Sequence, residues 1–274
     1  MFYISLRAVA LGSAAFVSSC IVTEDARPDL VVGVDVASAY VHRGMVQNEE
    51  GVIQPTVDVS LPAKQEGRII LRTFANMDLS NDTGDAWLPN GHAGKFSQID
   101  YNLLYEQKLG DSVLVTGGFI NYNLPNGTEF PFGERGATSE FMLSGLYQLP
   151  KKWLSLRPSM TIHYDFDEVD GFYIEGGLNH SYELTEETSV HTSLGLGWMD
   201  GDQTFWNYGI PDDVGGLADA RARVTVDHEI RPGTVLTGFA AYSRVMDSEL
   251  QDWFDLIQID SNQTYAGLGV RWIF

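Results

Sequence analysis

The sequence predicts an all-β fold, a transmembrane antiparallel up-and-down β-barrel of about twelve strands. Three observations support this. Apolar and polar residues alternate with a period of two over most of the chain. The connections between these segments alternate between short and long. The chain also opens with an export-type segment, and no later apolar run is long enough to cross a bilayer as a helix.

The predicted strands begin after a polar stretch and continue to the last residue. A tilted strand needs about 9–11 residues to cross the apolar layer of a membrane, and the alternating segments meet this length. We predict strands near 30–42, 51–61, 67–79, 96–108, 112–123, 137–149, 153–166, 171–184, 188–199, 217–230, 233–246 and 263–274.

Each predicted strand has one apolar and one polar face. In a membrane barrel the apolar face contacts lipid and the polar face lines the lumen. Two interpretations of the inward charges stay open: a pore lining that sets selectivity, or a salt-bridged interior that holds the wall together. The residues predicted to face the lumen are Asp58, Arg68, Arg72, Asp100, Glu106, Glu140, Arg157, His163, Asp165, Glu175, Arg221, Arg223, Asp227 and Arg271.

The alternating connection lengths predict short periplasmic turns and longer extracellular loops, with both termini in the periplasm. A further interpretation is a secreted soluble β-sandwich. That fold does not explain why short and long connections alternate. One long connection, DSELQDWFDLIQ, is compatible with a single helical turn. Aromatic residues in the long connections, such as Tyr208 and Trp253, either contact sugars and partners or cap the barrel mouth.

The composition is strongly acidic, with 37 Asp and Glu against 17 Lys and Arg and a net charge of -20. This charge repels a phosphate backbone, so we expect no nucleic-acid partner. We expect no cofactor. The expected partners are outer-membrane lipid and small solutes, and the oligomeric state stays open.

The first residues resemble a secretory signal peptide, with an apolar run too short to span a bilayer. The run closes on Val17-Ser18-Ser19-Cys20, which resembles a bacterial lipobox and predicts lipidation of Cys20. The alternative is ordinary signal cleavage with an incidental cysteine. The predicted organisation is a signal peptide over 1–19, a periplasmic linker over 20–29 and a barrel over 30–274.

The carboxy-terminal strand carries outward hydrophobic residues and ends on an aromatic residue. Leu268, Val270, Trp272 and Phe274 share one face. This pattern resembles the recognition signal for the outer-membrane barrel-assembly machinery, which is therefore a further expected partner.

The first hairpin carries the motif Ser38-x-Tyr40-Val41-x-Arg43-Gly44, followed by Gln47. It resembles the Gcw-chp type, a family of uncharacterised bacterial outer-membrane proteins whose first strand ends in S-x-Y-x-x-R-G. The resemblance is strongest over roughly residues 30–110. It implies an outer-membrane barrel and no activity. Where members often have Asp before the tyrosine, this chain has Ala39.

The function predicted from these features is a narrow passive, porin-like channel or a structural wall protein, and not an enzyme. A lipid-modifying hydrolase is the alternative, because His191 and Ser193 lie two residues apart on one strand face. A divalent-cation site is a weaker alternative, with Asp165, Asp167 and Asp170 in a short acidic connection. The leading interpretation assigns neither a catalytic nor a metal role to these residues.

Overall fold

The structure, a computed structural model, describes residues 29–64, 66–84, 86, 91–125, 136–149, 156–210 and 214–274. Within these residues, twelve antiparallel strands close into a barrel in which each strand pairs with its neighbours in the chain. The first barrel strand closes the wall by pairing with the last, through contacts such as Val32 with Trp272. No helix among the described residues is both long and apolar enough to cross a membrane.

The wall consists of β1 and β4 to β14, and a small separate hairpin is formed by β2 and β3. The strands and helices have these bounds: β1 Asp29–Ala37, β2 Tyr40–His42, β3 Met45–Asn48, β4 Val52–Pro62, β5 Gly67–Asp78, β6 Phe96–Leu109, β7 Val113–Asn123, β8 Ala137–Tyr147, β9 Arg157–Asp165, β10 Phe172–Glu183, β11 Thr188–Met199, α1 Gly201–Tyr208, β12 Gly216–Arg231, β13 Thr234–Val245, α2 Ser248–Ile257 and β14 Asn262–Ile273.

The two-residue period places apolar side chains on the outside and polar ones inside. Outward residues such as Leu143 and Leu268 are 56% and 73% exposed, as a lipid-facing wall requires. Inward carboxylates and guanidinium groups are buried, among them Glu140 and Arg271. Glycine makes room for these long side chains: a Cβ on Gly33 would lie 2.7 Å from Cδ of Arg271.

The connections define two different ends of the barrel. β1 starts and β14 stops at the same end, which also carries short turns such as 110–112 and 232–233. We call this the turn end. The opposite end carries the long connections, including those that contain the β2–β3 hairpin and both helices, and we call it the loop end.

The structure corrects the sequence prediction at three points. The first strand was expected to continue to residue 42, but it ends at Ala37, and residues 40–48 form their own hairpin. Helix α2 has ten residues rather than one turn. Helix α1 was expected as loop. It begins after Asp200, whose side chain accepts a hydrogen bond from the backbone N–H of Gln203.

Candidate functional site

The β2–β3 hairpin, residues 40–48, lies inside the lumen at the loop end. It leaves the wall between β1 and β4 and reaches side chains on the far side of the barrel. Tyr40 donates to Gln98 on β6, and Arg43 binds Glu140 on β8. Gly44 lies against Asp219 on β12. Because its contacts come from several sides of the wall, the hairpin crosses the lumen.

The hairpin turns at Arg43 and Gly44, the last two residues of the motif found in the sequence. Both have positive φ angles, 48° for Arg43 and 82° for Gly44. Two consecutive residues of this kind are typical of the tight turns that join antiparallel strands. Glycine at position 44 is also required by space, because a Cβ there would lie 2.6 Å from Cβ of Asp219.

The tip of the hairpin is fixed by an ion pair between Arg43 and Glu140. Nη1 and Nη2 of Arg43 each lie 2.6 Å from one carboxylate oxygen, so the pair is bidentate. The guanidinium also lies 4.6 Å from the ring centroid of Tyr173. Glu140 accepts a further hydrogen bond from Tyr122, at 3.0 Å, and contacts His163 at 3.1 Å. Both charged side chains are more than nine-tenths buried.

The other motif residues attach the hairpin to the wall. Ser38 extends the pairing of β1 with β14, because its backbone N–H donates to Ala266 and its hydroxyl accepts from the Ala266 N–H. The hydroxyl of Tyr40 donates to Gln98 at 2.8 Å, and Gln98 in turn donates to Asp100. The tyrosine, arginine and glycine of the motif therefore hold a constriction inside the barrel.

An apolar lid covers the hairpin at the loop end. Met45 of the hairpin packs with Tyr208 of α1 and with Leu250 and Phe254 of α2, and all four are completely buried. The hydroxyl of Tyr208 donates to the backbone carbonyl of Arg43 at 2.6 Å. Two roles were considered above for the aromatic residues of the loops. Tyr208 and Phe254 have the second role, because they cap the barrel mouth.

The ionisation of the hairpin follows from its surroundings. Burial by itself lowers the pKa of Arg43, but the charge of Glu140 outweighs it and holds that pKa above its ordinary value. Burial, followed by the charge of Arg43, lowers the pKa of His42 to about 3. Burial also raises the pKa of Tyr208 well above its ordinary value. At neutral pH the tip therefore carries one positive charge.

The charged residues predicted to face the lumen lie on the inner side of the wall. At the loop end, Arg221 binds Glu175 and Asp219. Near the turn end and in the middle, the pairs are Arg72 with Asp58, Arg68 with Asp29, and Arg271 with Asp35. The remaining predicted residues have these contacts: Arg157 with Ser181, Arg223 over the ring of Phe239, Asp227 with Thr237, Asp165 with Thr138, Asp100 with Gln98, and His163 with Glu140. Glu106 lies on β6 in the same inward series as Asp100.

The structure does not pair His191 with Ser193, the two residues on which the hydrolase alternative depends. Nδ1 of His191 lies 2.8 Å from Ser181, and Nε2 lies 2.9 Å from Ser189. Both ring nitrogens are therefore engaged by serines other than Ser193, and the ring faces the lumen instead of lipid. Asp227 lies 3.4 Å from Nε2, the nitrogen that also contacts Ser189. This arrangement braces three neighbouring strands, β10 to β12.

Two of the three carboxylates considered for a cation site, those of Asp165 and Asp170, have different partners. Asp165 accepts from the backbone N–H groups of Asp167 and Val169 and from the hydroxyl of Thr138. Asp170 accepts from Tyr164 at 2.5 Å. No group of three or more His, Cys, Asp or Glu side chains that could hold a metal ion is found within the described residues.

Some site residues lie beyond what the sequence analysis singled out. Arg43 was noted only as part of the motif, and Asp35 and Asp219 were not among the predicted lumen residues. The period-two pattern carried a signal for Asp219, because it shares the inward face of β12 with Arg221, Arg223 and Asp227. Asp35 lies on β1 and forms an ion pair with an arginine of β14. Cys20, the signal peptide and the lipobox lie outside the described residues.

Comparisons with known proteins agree with the fold. No family model matches the chain, and no curated protein matches it. Among solved structures, an outer-membrane channel from Pseudomonas putida F1 is 10% identical with a TM-score of 0.55, over 90% of this chain and 95% of that chain. The chain thus has the fold of an outer-membrane β-barrel.

Two other solved structures cover a similar share of the chain at a looser fit. The NanC porin is 11% identical with a TM-score of 0.49, over 90% of this chain and 99% of that one. A KdgM porin, solved in complex with oligogalacturonate, is 8% identical with a TM-score of 0.46, over 89% and 98%. At these values neither likeness supports an argument about solutes.

Proposed function

We propose that the protein is a narrow passive channel of the bacterial outer membrane, with no enzymatic activity, and that the β2–β3 hairpin is its constriction. The observation that carries this proposal is the position of the hairpin. It closes the loop end of a polar, charged lumen, and it does so as an insert that is separate from the wall. An insert of this kind can move without opening the barrel itself.

The lumen near the turn end supports this proposal because some of its charged side chains remain in contact with water. The Arg72 side chain is 29% exposed, and that of Asp29 is 24% exposed. Side chains of both signs along a hydrated path are suited to the passage of small polar solutes. In contrast, a lumen filled along its whole length would leave these groups buried.

The orientation that we propose has the loop end outside and both termini in the periplasm. Long loops at one end and short turns at the other are typical of outer-membrane barrels. An outward apolar wall supports contact with outer-membrane lipid. Leu268, Val270 and Trp272 of β14, with Phe274 directly after the strand, support recognition by the barrel-assembly machinery. Leu268 and Phe274 are 73% and 74% exposed there.

Two further parts of the proposal rest on sequence alone. We propose that residues 1–19 act as a signal peptide and that Cys20 is lipidated. We also propose that the chain is related to the Gcw-chp type. The structural role of Tyr40, Arg43 and Gly44 in the hairpin supports this relationship, because it gives a physical reason for that motif.

Single-channel conductance in a planar bilayer tests the proposal. The wild-type protein is compared with a variant in which a Gly–Ser linker replaces residues 40–48, and heat-modifiable migration checks that both are folded. We expect small, intermittent currents from the wild type and larger, steady currents from the variant. If the folded variant does not conduct, the proposal fails and a structural wall protein becomes the better interpretation.

A further inference from the structure

We infer that the groups around the Arg43 guanidinium form a binding site for organic cations, and that Arg43 occupies this site as a tethered ligand of the chain itself. We call these groups the cation cage. The cage consists of Glu140, Tyr122 and Tyr173, together with Gln203 of α1. The transport consequence of this inference rests on the proposed channel function, whereas the binding site stands apart from it.

The cage has the chemistry of a guanidinium receptor. Glu140 offers both carboxylate oxygens to the two terminal nitrogens of Arg43, a fork geometry that matches a planar guanidinium better than a point-like ammonium. The ring centroids of Tyr173 and Tyr122 lie 4.6 and 5.8 Å from Cζ of Arg43, so aromatic rings flank the cation. Oε1 of Gln203 is a further acceptor at 3.4 Å from Nη1.

The side chains of the cage lie on wall strands and on α1, whereas the ligand, Arg43, lies on the hairpin. Tyr122, Glu140 and Tyr173 lie on β7, β8 and β10, and they are held by the barrel independently of residues 40–48. Glu140 keeps hydrogen-bonding partners of its own in Tyr122 and His163. If the hairpin moves away, the wall strands still hold these side chains, and the Glu140 carboxylate loses its arginine partner. A buried charge of this kind strongly favours a new cationic partner.

The loop end also concentrates cations near the cage. The six connections at the loop end contain 18 Asp and Glu residues and only three Lys and Arg residues in the sequence; they span 38–51, 79–95, 124–136, 166–171, 200–215 and 246–261. A surface of one sign raises the local concentration of counter-ions and speeds their association. Guanidinium and ammonium compounds are therefore the solutes that reach this mouth most readily, and anions are repelled from it.

The inference predicts competition between a cationic solute and Arg43 for Glu140. In the resting protein the tethered guanidinium fills the cage and the hairpin closes the lumen. A solute that carries its own guanidinium group displaces it, and the hairpin then loses its main polar attachment. Small guanidinium compounds are thus both ligands of the cage and the class of solute that opens the constriction.

Chemical rescue of Arg43→Ala tests the binding site directly. Ethylguanidinium replaces the group that the substitution removes, and N-ethylurea is a neutral control of similar shape. We expect ethylguanidinium, and not N-ethylurea, to raise the melting temperature of Arg43→Ala. The rescue is expected to disappear in the double variant Arg43→Ala/Glu140→Gln and to be absent in Arg72→Ala, whose arginine pairs with Asp58 near the turn end. Equal effects of the two compounds, or rescue that persists in the double variant, would overturn the inference.

Solute flux separates this inference from the proposed channel function. Liposome swelling compares agmatine, a guanidinium compound, with a neutral urea analogue of the same length, and we expect agmatine to enter on the order of tenfold faster through the wild type. If no variant conducts but the rescue is observed, the channel proposal fails and the binding site stands. If the barrel conducts but ethylguanidinium gives no specific shift, the cage inference fails alone.

Discussion

The loop-end and turn-end halves of the lumen both contain arginine–carboxylate pairs, but water reaches the two halves to different extents. The side chains of Arg43 and Glu140 are 6% and 2% exposed, whereas those of Arg72 and Asp58 are 29% and 8% exposed. Arg68 and Asp29, at 12% and 24%, resemble the second pair. The pair beneath the hairpin and the lid is sealed from water, whereas the two pairs nearest the turn end are hydrated.

Because the two kinds of arginine–carboxylate pair differ in their exposure to water, they have different roles. Removing one partner from a buried pair leaves an uncompensated charge in a poorly solvated site, which costs about 3–5 kcal/mol. Removing one partner from a hydrated pair costs about 0–1 kcal/mol, because water replaces it. The loop-end pair can therefore hold a constriction in place, whereas the turn-end pairs mainly provide a charged lining.

The largest expected effect is that of Glu140→Gln. The substitution keeps the shape of the side chain and removes the charge opposite Arg43, so docking of the hairpin should weaken by about 3–5 kcal/mol. The population with an undocked hairpin should rise accordingly. Planar-bilayer recordings should show longer openings than in the wild type. Unchanged recordings from a folded Glu140→Gln variant would mean that the ion pair does not hold the hairpin.

A second test concerns the turn of the hairpin. Gly44→Ala should destabilise the docked hairpin by about 2–4 kcal/mol, because its φ angle of 82° disfavours a side chain and its Cβ would collide with Asp219. Gly110→Ala is the matched control at the turn end. Gly110 also has a positive φ angle, but nothing lies within 4 Å of its Cβ position.

Limited proteolysis at the loop end compares these two glycine variants, because an undocked hairpin becomes accessible to protease. We expect rapid cleavage in Gly44→Ala and a wild-type pattern in Gly110→Ala. Equal protection of the two variants would show that the close approach to Asp219 does not restrain the hairpin.

A smaller effect is expected from the lid. Asp200→Ala removes the N-cap of α1 and should cost about 1 kcal/mol of helix stability. Asp202→Ala is the control, because it removes the same charge from the exposed first turn of the same helix without removing the cap. Hydrogen exchange of α1 amides should rise in Asp200→Ala more than in Asp202→Ala. The same rise in both variants would attribute the effect to charge alone.

The smallest effect is expected at the turn end, where Asp58→Asn removes the partner of Arg72. Water contacts this arginine already, so urea unfolding in detergent should shift by about 1 kcal/mol or less. The open-channel selectivity for cations over anions should fall slightly, because one inward negative charge is lost. A loss as large as that of Glu140→Gln would remove the distinction between the two halves of the lumen.

Much of the wall could be predicted from the sequence because its determinants are local. The period-two pattern of β14, with Leu268 and Val270 outside and Arg271 inside, is also found in the structure. The α1 helix was missed even though Asp200 and Gln203 carry a capping signal. Its eight residues have polar and apolar side chains in an order that also fits a loop, and the helix is stabilised by packing of Tyr208 against Phe254.

The candidate site could not be predicted to the same extent, because its partners are distant in the chain. Arg43 and Glu140 are separated by 97 residues, and Tyr208 and Arg43 by 165. Nothing in the local pattern around Glu140 distinguishes it from other inward carboxylates such as Glu106. The partners of His191 could not be predicted in full for the same reason, since Ser181 reaches it from a neighbouring strand.

The sequence by itself determined the closed barrel, its twelve strands and the identity of its two faces, because alternation and turn chemistry act between near neighbours in the chain. In the structure, residues 43 and 44 form a tight turn, within a stretch that the sequence placed in a long connection. Only the tertiary structure decided that this turn points into the lumen. The position of the turn depends on the Glu140 carboxylate, on the rings of Tyr122 and Tyr173, and on the loops that contain α1 and α2. These groups come together only when the barrel closes.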